Sequence, residues 1–140
     1  MKVLMTVLPI LGIIVAGVSA LMAITFEAMA RRKNLLRQRG TYPFSEWERF
    51  APDVDPSFLK SVLDAVGASL DIAGTYLRPD DRFDGILALR GQFTIDDDAA
   101  FDVAEELNER LGIQWNESWE SVGDVIVGAA RSQRRATLTQ

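Results

Sequence analysis

From Val3 to Phe26 the chain runs for 24 residues without a charged side chain. As a helix that run is about 36 Å long, and about 20 apolar residues cross the hydrocarbon core of a bilayer. Residues 3–26 are therefore read as a membrane-spanning helix with length to spare for tilt. Pro9 near its start predicts a mild kink. Gly12, Gly17 and Ser19 form a small-residue face, but the Gly12-x-x-x-x-Gly17 spacing is not GxxxG and carries no dimerisation reading. The rival is a cleaved signal peptide, with Lys2 ahead of the run and small-x-small sites at Val18-Ser19-Ala20 or Ala28-Met29-Ala30. A signal core is about 7–15 residues long, and this run exceeds it.

The flanks set an orientation. Only Lys2 precedes the run, whereas Arg31, Arg32, Lys33, Arg37 and Arg39 give residues 31–39 a net charge of +5. Cationic flanks stay in the cytoplasm. The expected placement is a single pass through the inner cell membrane, N-terminus outside and C-terminal domain cytoplasmic. Glu27 to Arg39 holds no Gly or Pro, which predicts that the helix continues to Gly40 and leaves its basic residues among anionic headgroups. Residues 1–40 are thus membrane helix with a basic extension, 41–55 an aromatic connector, 56–130 an acidic helical domain and 131–140 a basic tail.

Charge and composition prune the functions open to that domain. Thr41 to Ala130 carries 6 basic and 19 acidic side chains, a net of −13, and Arg131, Arg134 and Arg135 then add +3. Such a surface repels nucleic acid and attracts basic protein surfaces. The chain has no Cys and no His. That removes disulfides, thiolate nucleophiles and iron–sulfur clusters, and with them the commonest general base and metal ligand. No glycine spacing matches a phosphate loop. Asp80, Asp84 and Gly85 match three positions of an EF-hand loop, but Arg82 and Gly91 stand where ligands are required. Asp80, Asp81 and Asp84 are read as turn formers, with Arg78 and Arg82 as partners for the acids. Paired carboxylates hydrolyse glycosides only with a raised-pKa acid inside a cleft, and a helical bundle of about 80 residues has little room for one. The expectation is a protein that is not an enzyme and takes no cofactor, metal or small-molecule substrate.

Periodicity supplies the elements. In the connector, Phe44, Trp47 and Phe50 share one helical face, which either covers the domain core or rests at the membrane interface. Asp55-Pro56 reads as an N-cap and first helical residue, followed by Leu59, Val62, Leu63, Val66, Leu70 and Ala73 at helical spacing up to Gly74. A loop with turns at Arg78-Pro79-Asp80-Asp81 and Asp84-Gly85 follows. A second helix is expected from Asp96 to Leu111, with Ala100, Val103, Ala104, Leu107 and Leu111 inward and Gly112 as its stop. After a short turn of helix at Asn116–Trp119, the closing helix is capped by Ser121 and buries Val122, Val125, Ile126 and Ala129.

Three segments of this domain resemble acyl carrier proteins. Leu77-Arg78-Pro79-Asp80-Asp81-Arg82-Phe83 looks like the opening of their long loop. Glu105 to Ile113 resembles the end of their second helix, and Ser121-Val122-Gly123-Asp124-Val125-Ile126 the start of their last. The likeness covers roughly residues 56–130 and implies an all-α fold, an N-terminal transmembrane helix followed by a small acyl-carrier-like four-helix bundle. It departs at the prosthetic site. Counted back from Gly112, the Asp-Ser-Leu motif that carries phosphopantetheine falls on Asp96-Asp97-Asp98, so the serine position is Asp97. A carboxylate cannot bear that group, and the chain is more similar to the carrier-like proteins in which acids replace the serine.

What remains is a surface. The carboxylates of Asp96, Asp97 and Asp98 at a helix start have a local role as caps and dipole partners, about 0.3–1 kcal/mol each. Asp98, Asp102, Glu105 and Glu109 follow i, i+4, i+7, i+11 and form a stripe in which like charges repel. Carrier proteins meet basic partners through an acidic second helix. The resemblance therefore implies a partner-binding face of Asp97, Asp98, Asp102, Glu105, Glu106 and Glu109. Trp115 and Trp119 cover one end of the bundle, as core rim or as a contact hot spot. The expected function is a membrane-tethered, non-catalytic docking module for a basic protein. The alternatives are a carrier modified at Ser118 or Ser121 and a structural accessory subunit held through the membrane helix.

Overall fold

The computed structural model describes residues 2–89 and 99–138. They form α1 (Lys2–Gln38), α2 (Phe44–Phe50), α3 (Pro56–Ser69), α4 (Ala100–Leu111) and α5 (Val122–Leu138), with a 3-10 turn at Gly74–Tyr76. No strand occurs among the described residues; an isolated antiparallel bridge pairs Arg82 with Ser121.

The 37 residues of α1 run unbroken through Pro9, a length of about 55 Å. None of its apolar part is buried, and it is long and apolar enough to cross a membrane. Its last third differs. Ala28, Arg32 and Leu36, spaced four residues apart on one face, are buried, and Leu36 belongs to the hydrophobic core. The sequence assigned this stretch to headgroups; the folded chain gives one face of it to the domain.

The core lies around α3, which packs on α4, α5 and the 3-10 turn. Leu59, Val62, Leu63, Ala65, Val66 and Gly67 are its buried residues, with Pro56 in the first turn and Asp55 at the N-cap position, where the carboxylate makes no capping bond. The helix ends at Ser69, not at Gly74, and Asp71 turns the chain at a positive φ of 54°. Gly74 serves a different purpose. A Cβ there would sit 2.8 Å from the carbonyl oxygen of Leu63, so only glycine lets the 3-10 turn lie directly on α3.

The connector closes the core. Trp47 is buried, and its indole N–H donates to the Leu77 carbonyl at 3.1 Å. Tyr42 and Phe50 meet that indole edge-on, each with centroids 5.8 Å away, a favourable aromatic geometry. Of the two sequence-based options, Trp47 takes the core.

In α4 Val103 and Leu107 face inward, and Gly112 ends the helix at a φ of 64°. Its expected start, Asp96 to Asp98, lies outside the described residues. Asn116–Trp119 forms a turn, not a helix, closed by the Trp119 N–H on the Asn116 carbonyl at 3.0 Å. The cap on α5 is reciprocal. Asp124 N–H donates to Ser121 Oγ, and Ser121 N–H donates to an Asp124 carboxylate oxygen, both at 3.2 Å, a capping-box arrangement. Beyond Ala130 the helix continues to Leu138, because residues 131–138 contain neither Gly nor Pro. The expected basic tail is thus two further turns of α5.

Candidate docking surface

The basic end of α1 is built into the domain at two places. Arg32 is 5% exposed; its guanidinium donates to the Leu87 carbonyl at 3.1 Å and to the Leu70 carbonyl at 3.5 Å. Burial pushes this group below its usual pKa, and the nearby charges of Asp102 and Asp71 push the other way. Guanidinium stays protonated through such shifts, so the site holds a buried cation answered by two carboxylates. Lys33 meets Asp71 at 3.4 Å from the side.

The second place is Asp81, 3% exposed. Its carboxylate receives both terminal nitrogens of Arg39, one at 2.6 Å, and the Arg78 backbone N–H at 2.8 Å. Arg39 also donates to the Tyr76 carbonyl at 2.8 Å, and Arg78 donates to the Arg39 carbonyl at 2.9 Å. The backbone around Asp81 anchors α5, since Val122 N–H donates to the Asp81 carbonyl at 3.0 Å and Gly123 N–H to the Pro79 carbonyl at 2.9 Å. The turn read as Asp80–Asp81 with local arginine partners is corrected on this point. Asp81 pairs with Arg39, just past the end of α1, while Arg82 takes Asp84 as expected, at 2.9 Å, and Glu120 in addition at 3.1 Å.

The acidic face of α4 is partly as the sequence placed it. Asp102, Glu105 and Glu109 are exposed on the side opposite Val103 and Leu107, and among the described residues no ion pair engages Glu105 or Glu109. Glu106 is half-buried and pairs with Arg110 one turn on. Asp102 is divided between solvent and its electrostatic role beside Arg32. Asp97 and Asp98 lie outside the described residues. The exposed stripe within the described part of α4 is therefore Asp102, Glu105 and Glu109.

Beside the start of α4, where Ala99 N–H donates to the Phe83 carbonyl at 3.1 Å, Phe83, Trp115 and Trp119 form an edge-on ladder with centroid spacings of 5.4 and 5.2 Å. Trp119 lies so close to α5 that a Cβ on Gly128 would come within 2.3 Å of its indole nitrogen. Trp119 is buried and Trp115 half-buried, so the ladder seals the core. An open groove of about 1060 Å³ runs beside it, lined by Trp115, Trp119, Asp80, Asp124 and Arg131 among others. Both serines weighed as modification sites stand here in structural use. Ser118 Oγ donates to Asn116 Oδ1 at 2.7 Å, and Ser121 Oγ is the α5 cap. Among the described residues no group of three or more acids is arranged to hold a metal ion.

Two features of this site were missed by sequence reasoning. Arg32 and Arg39 were counted only as positive charge, although Ala28, Arg32 and Leu36 at i, i+4, i+8 carry the spacing of an inward face. Phe101, the exposed ring beside Asp102, had no signal but its place in the α4 pattern, out of register with Val103 and Leu107. No family model matches the chain, and no curated protein and no solved structure matches it.

Proposed function

We propose that this protein is a single-pass membrane protein whose cytoplasmic helical domain docks a basic protein partner through α4, without catalysis. The observation that carries the reading is the pairing of two surfaces of opposite fate. Arg32 and Arg39, two of the five cations of residues 31–39, are consumed inside the fold, while Glu105 and Glu109 stand exposed and unpaired among the described residues. Folding draws Arg32 and Arg39 inward and leaves the negative face of α4 for another molecule. Like charges one turn apart do nothing for helix stability, which favours a use outside the domain.

Tethering strengthens this reading, because α1 enters the core without a linker and restricts the domain to the membrane surface. A weak, charge-based contact gains effective concentration there. The cytoplasmic side follows from the positive flank, which acts on the chain during insertion, before the arginines find their partners. Burial of Ala28 in continuous helix favours an uncleaved anchor. Asp97 at the serine position of the carrier resemblance argues against a prosthetic arm. The engaged hydroxyls of Ser118 and Ser121 weigh against modification there.

The test is cross-linked capture by the full-length protein in detergent, compared with Glu105→Lys/Glu109→Lys. Asp102 is left intact because it faces Arg32. The expected result is a basic partner held by the native chain and lost from the variant, with an unchanged unfolding midpoint. Equal capture by both chains would overturn the docking face and shift association to α1, as an accessory subunit would behave.

A further inference from the structure

We infer that the basic partner of the α4 face is a second copy of this chain, which docks there through the last two turns of its own α5. The inference rests on the reading of α4 as a docking face and names what docks. Residues 131–138 are helical, and every one of them is exposed. This part of α5 therefore extends past the core, with no face covered by its own domain. It carries Arg131, Arg134 and Arg135 and no acid. Among the described residues no ion pair engages Arg131 or Arg134.

The two faces match in charge and in spacing. Glu105 and Glu109 are four residues apart on α4, about 6 Å along its axis, and Arg131 and Arg134 are three apart on α5, about 4.5 Å. Both ion pairs can form at once between two helices laid side by side. Each face also carries an exposed apolar side chain one turn from its charges. Phe101, ahead of Glu105, is 75% exposed, and Leu138, beyond Arg134, is 86% exposed. Arginine and aromatic rings are enriched where protein surfaces meet.

Within one chain the two faces do not meet. Arg131 and Arg134 stand beside the connector, where they line an open groove with Phe50 to Val54, and no ion pair joins them to α4. The bilayer that α1 enters is not their partner either. The connector leads into Pro56 at the start of α3, whereas Leu70, past the other end of that helix, is the residue whose carbonyl Arg32 of α1 holds. The 14 residues of α3, about 21 Å of helix, lie between them. The arginines of α5 are thus at the end of α3 opposite the one that α1 grips. Two copies anchored in one membrane meet at a raised effective concentration, which suits a contact whose exposed ion pairs are each weak. A contact of unlike faces closes into a pair or ring, or extends from copy to copy.

The chain has no cysteine of its own, so Lys60→Cys, exposed on α3, takes a donor or an acceptor dye at one site. Full-length donor and acceptor copies are reconstituted together into phosphatidylcholine vesicles, and energy transfer is followed against protein density. The expected result is transfer several-fold above that of copies placed at random. It is lost when all copies carry Glu105→Lys/Glu109→Lys, or all carry Arg131→Glu/Arg134→Glu. It returns when donor-labelled chains of the first kind are mixed with acceptor-labelled chains of the second, because each then presents the charge the other needs. The neutral pair Arg131→Gln/Arg134→Gln, a milder change, is expected to lose transfer as well. Transfer that survives the reversals overturns the inference and places association in α1. Loss in both reversed chains without recovery in their mixture also overturns it, since the two faces then do not recognise each other. Random-level transfer between native copies overturns it too. In that case, capture of a basic protein that still depends on Glu105 and Glu109 leaves the docking face standing with another partner, and capture indifferent to them removes both.

Discussion

The chain has two arginine-rich segments, at the end of α1 and at the end of α5, and the fold treats them differently. Arg32 and Arg39 are drawn into the domain by carbonyls and a buried carboxylate. Arg131 and Arg134, on the last turns of α5, remain exposed. Nothing in the local charge pattern separates the two segments. The difference is what lies on the same helical face: Ala28 and Leu36 flank Arg32 and bury with it, whereas residues 131–138 have no apolar face directed at the core. A run of positive charge becomes structure when its helix also carries an inward stripe that delivers the cations to buried oxygen atoms.

The sharpest way to break this contrast is Asp81→Ala. It leaves Arg39 facing a space without its counter-charge and frees the Arg78 N–H. The expected loss is about 3 kcal/mol, the low end for a broken buried pair, since the Arg39 side chain keeps 19% exposure. Urea unfolding followed by the fluorescence of Trp47, Trp115 and Trp119 reads it, because all three indoles lie in the domain. Replacing both partners, Arg39→Met with Asp81→Leu, is expected to recover much of that loss, since paired apolar groups need no compensation.

A smaller effect is expected at Arg32. Arg32→Met removes two carbonyl contacts and leaves Asp102 and Asp71 without their buried cation, for a loss of about 1–3 kcal/mol. If the same substitution moved the urea midpoint no more than a surface change, the packing of α1 on the domain would carry no stability. Ser121→Ala deletes the hydroxyl half of the α5 capping box, for about 1 kcal/mol by the same readout. At the other end of the contrast, Arg131→Gln and Arg134→Gln are expected to stay within about 0.5 kcal/mol of the native chain. A larger change would show that the two arginine segments are alike after all.

What the sequence made legible was local. The apolar run, the Asp55-Pro56 start of α3, the Gly112 stop and the Ser121 cap each depend on a few neighbouring residues, and each is where the pattern put it. The end of α3 was misplaced by five residues, because Gly74 has the composition of a helix stop but is required by contact with Leu63. The length of α5 was underestimated, since the apolar period ends at Ala130 while the backbone meets no breaker. The roles of Arg32 and Arg39 were out of reach for a different reason. Their partners Leu70, Leu87 and Asp81 are 38 to 55 residues away in sequence, and no local rule pairs them. Of the acidic stripe, Glu105 and Glu109 were legible as an outward face, Glu106 was not, being turned to Arg110, and Asp97 and Asp98 lie outside the described residues.

The measurement that bears most directly on the union of α1 with the domain is amide hydrogen exchange on the full-length protein in lipid nanodiscs, native and Asp81→Ala. If the end of α1 is part of the domain, the amides of residues 31–38 exchange as slowly as those of α3, and both segments lose protection together in the variant. Exchange at residues 31–38 that is fast, or that is indifferent to Asp81→Ala while α3 loosens, would mean that α1 ends as an independent helix with the domain merely attached.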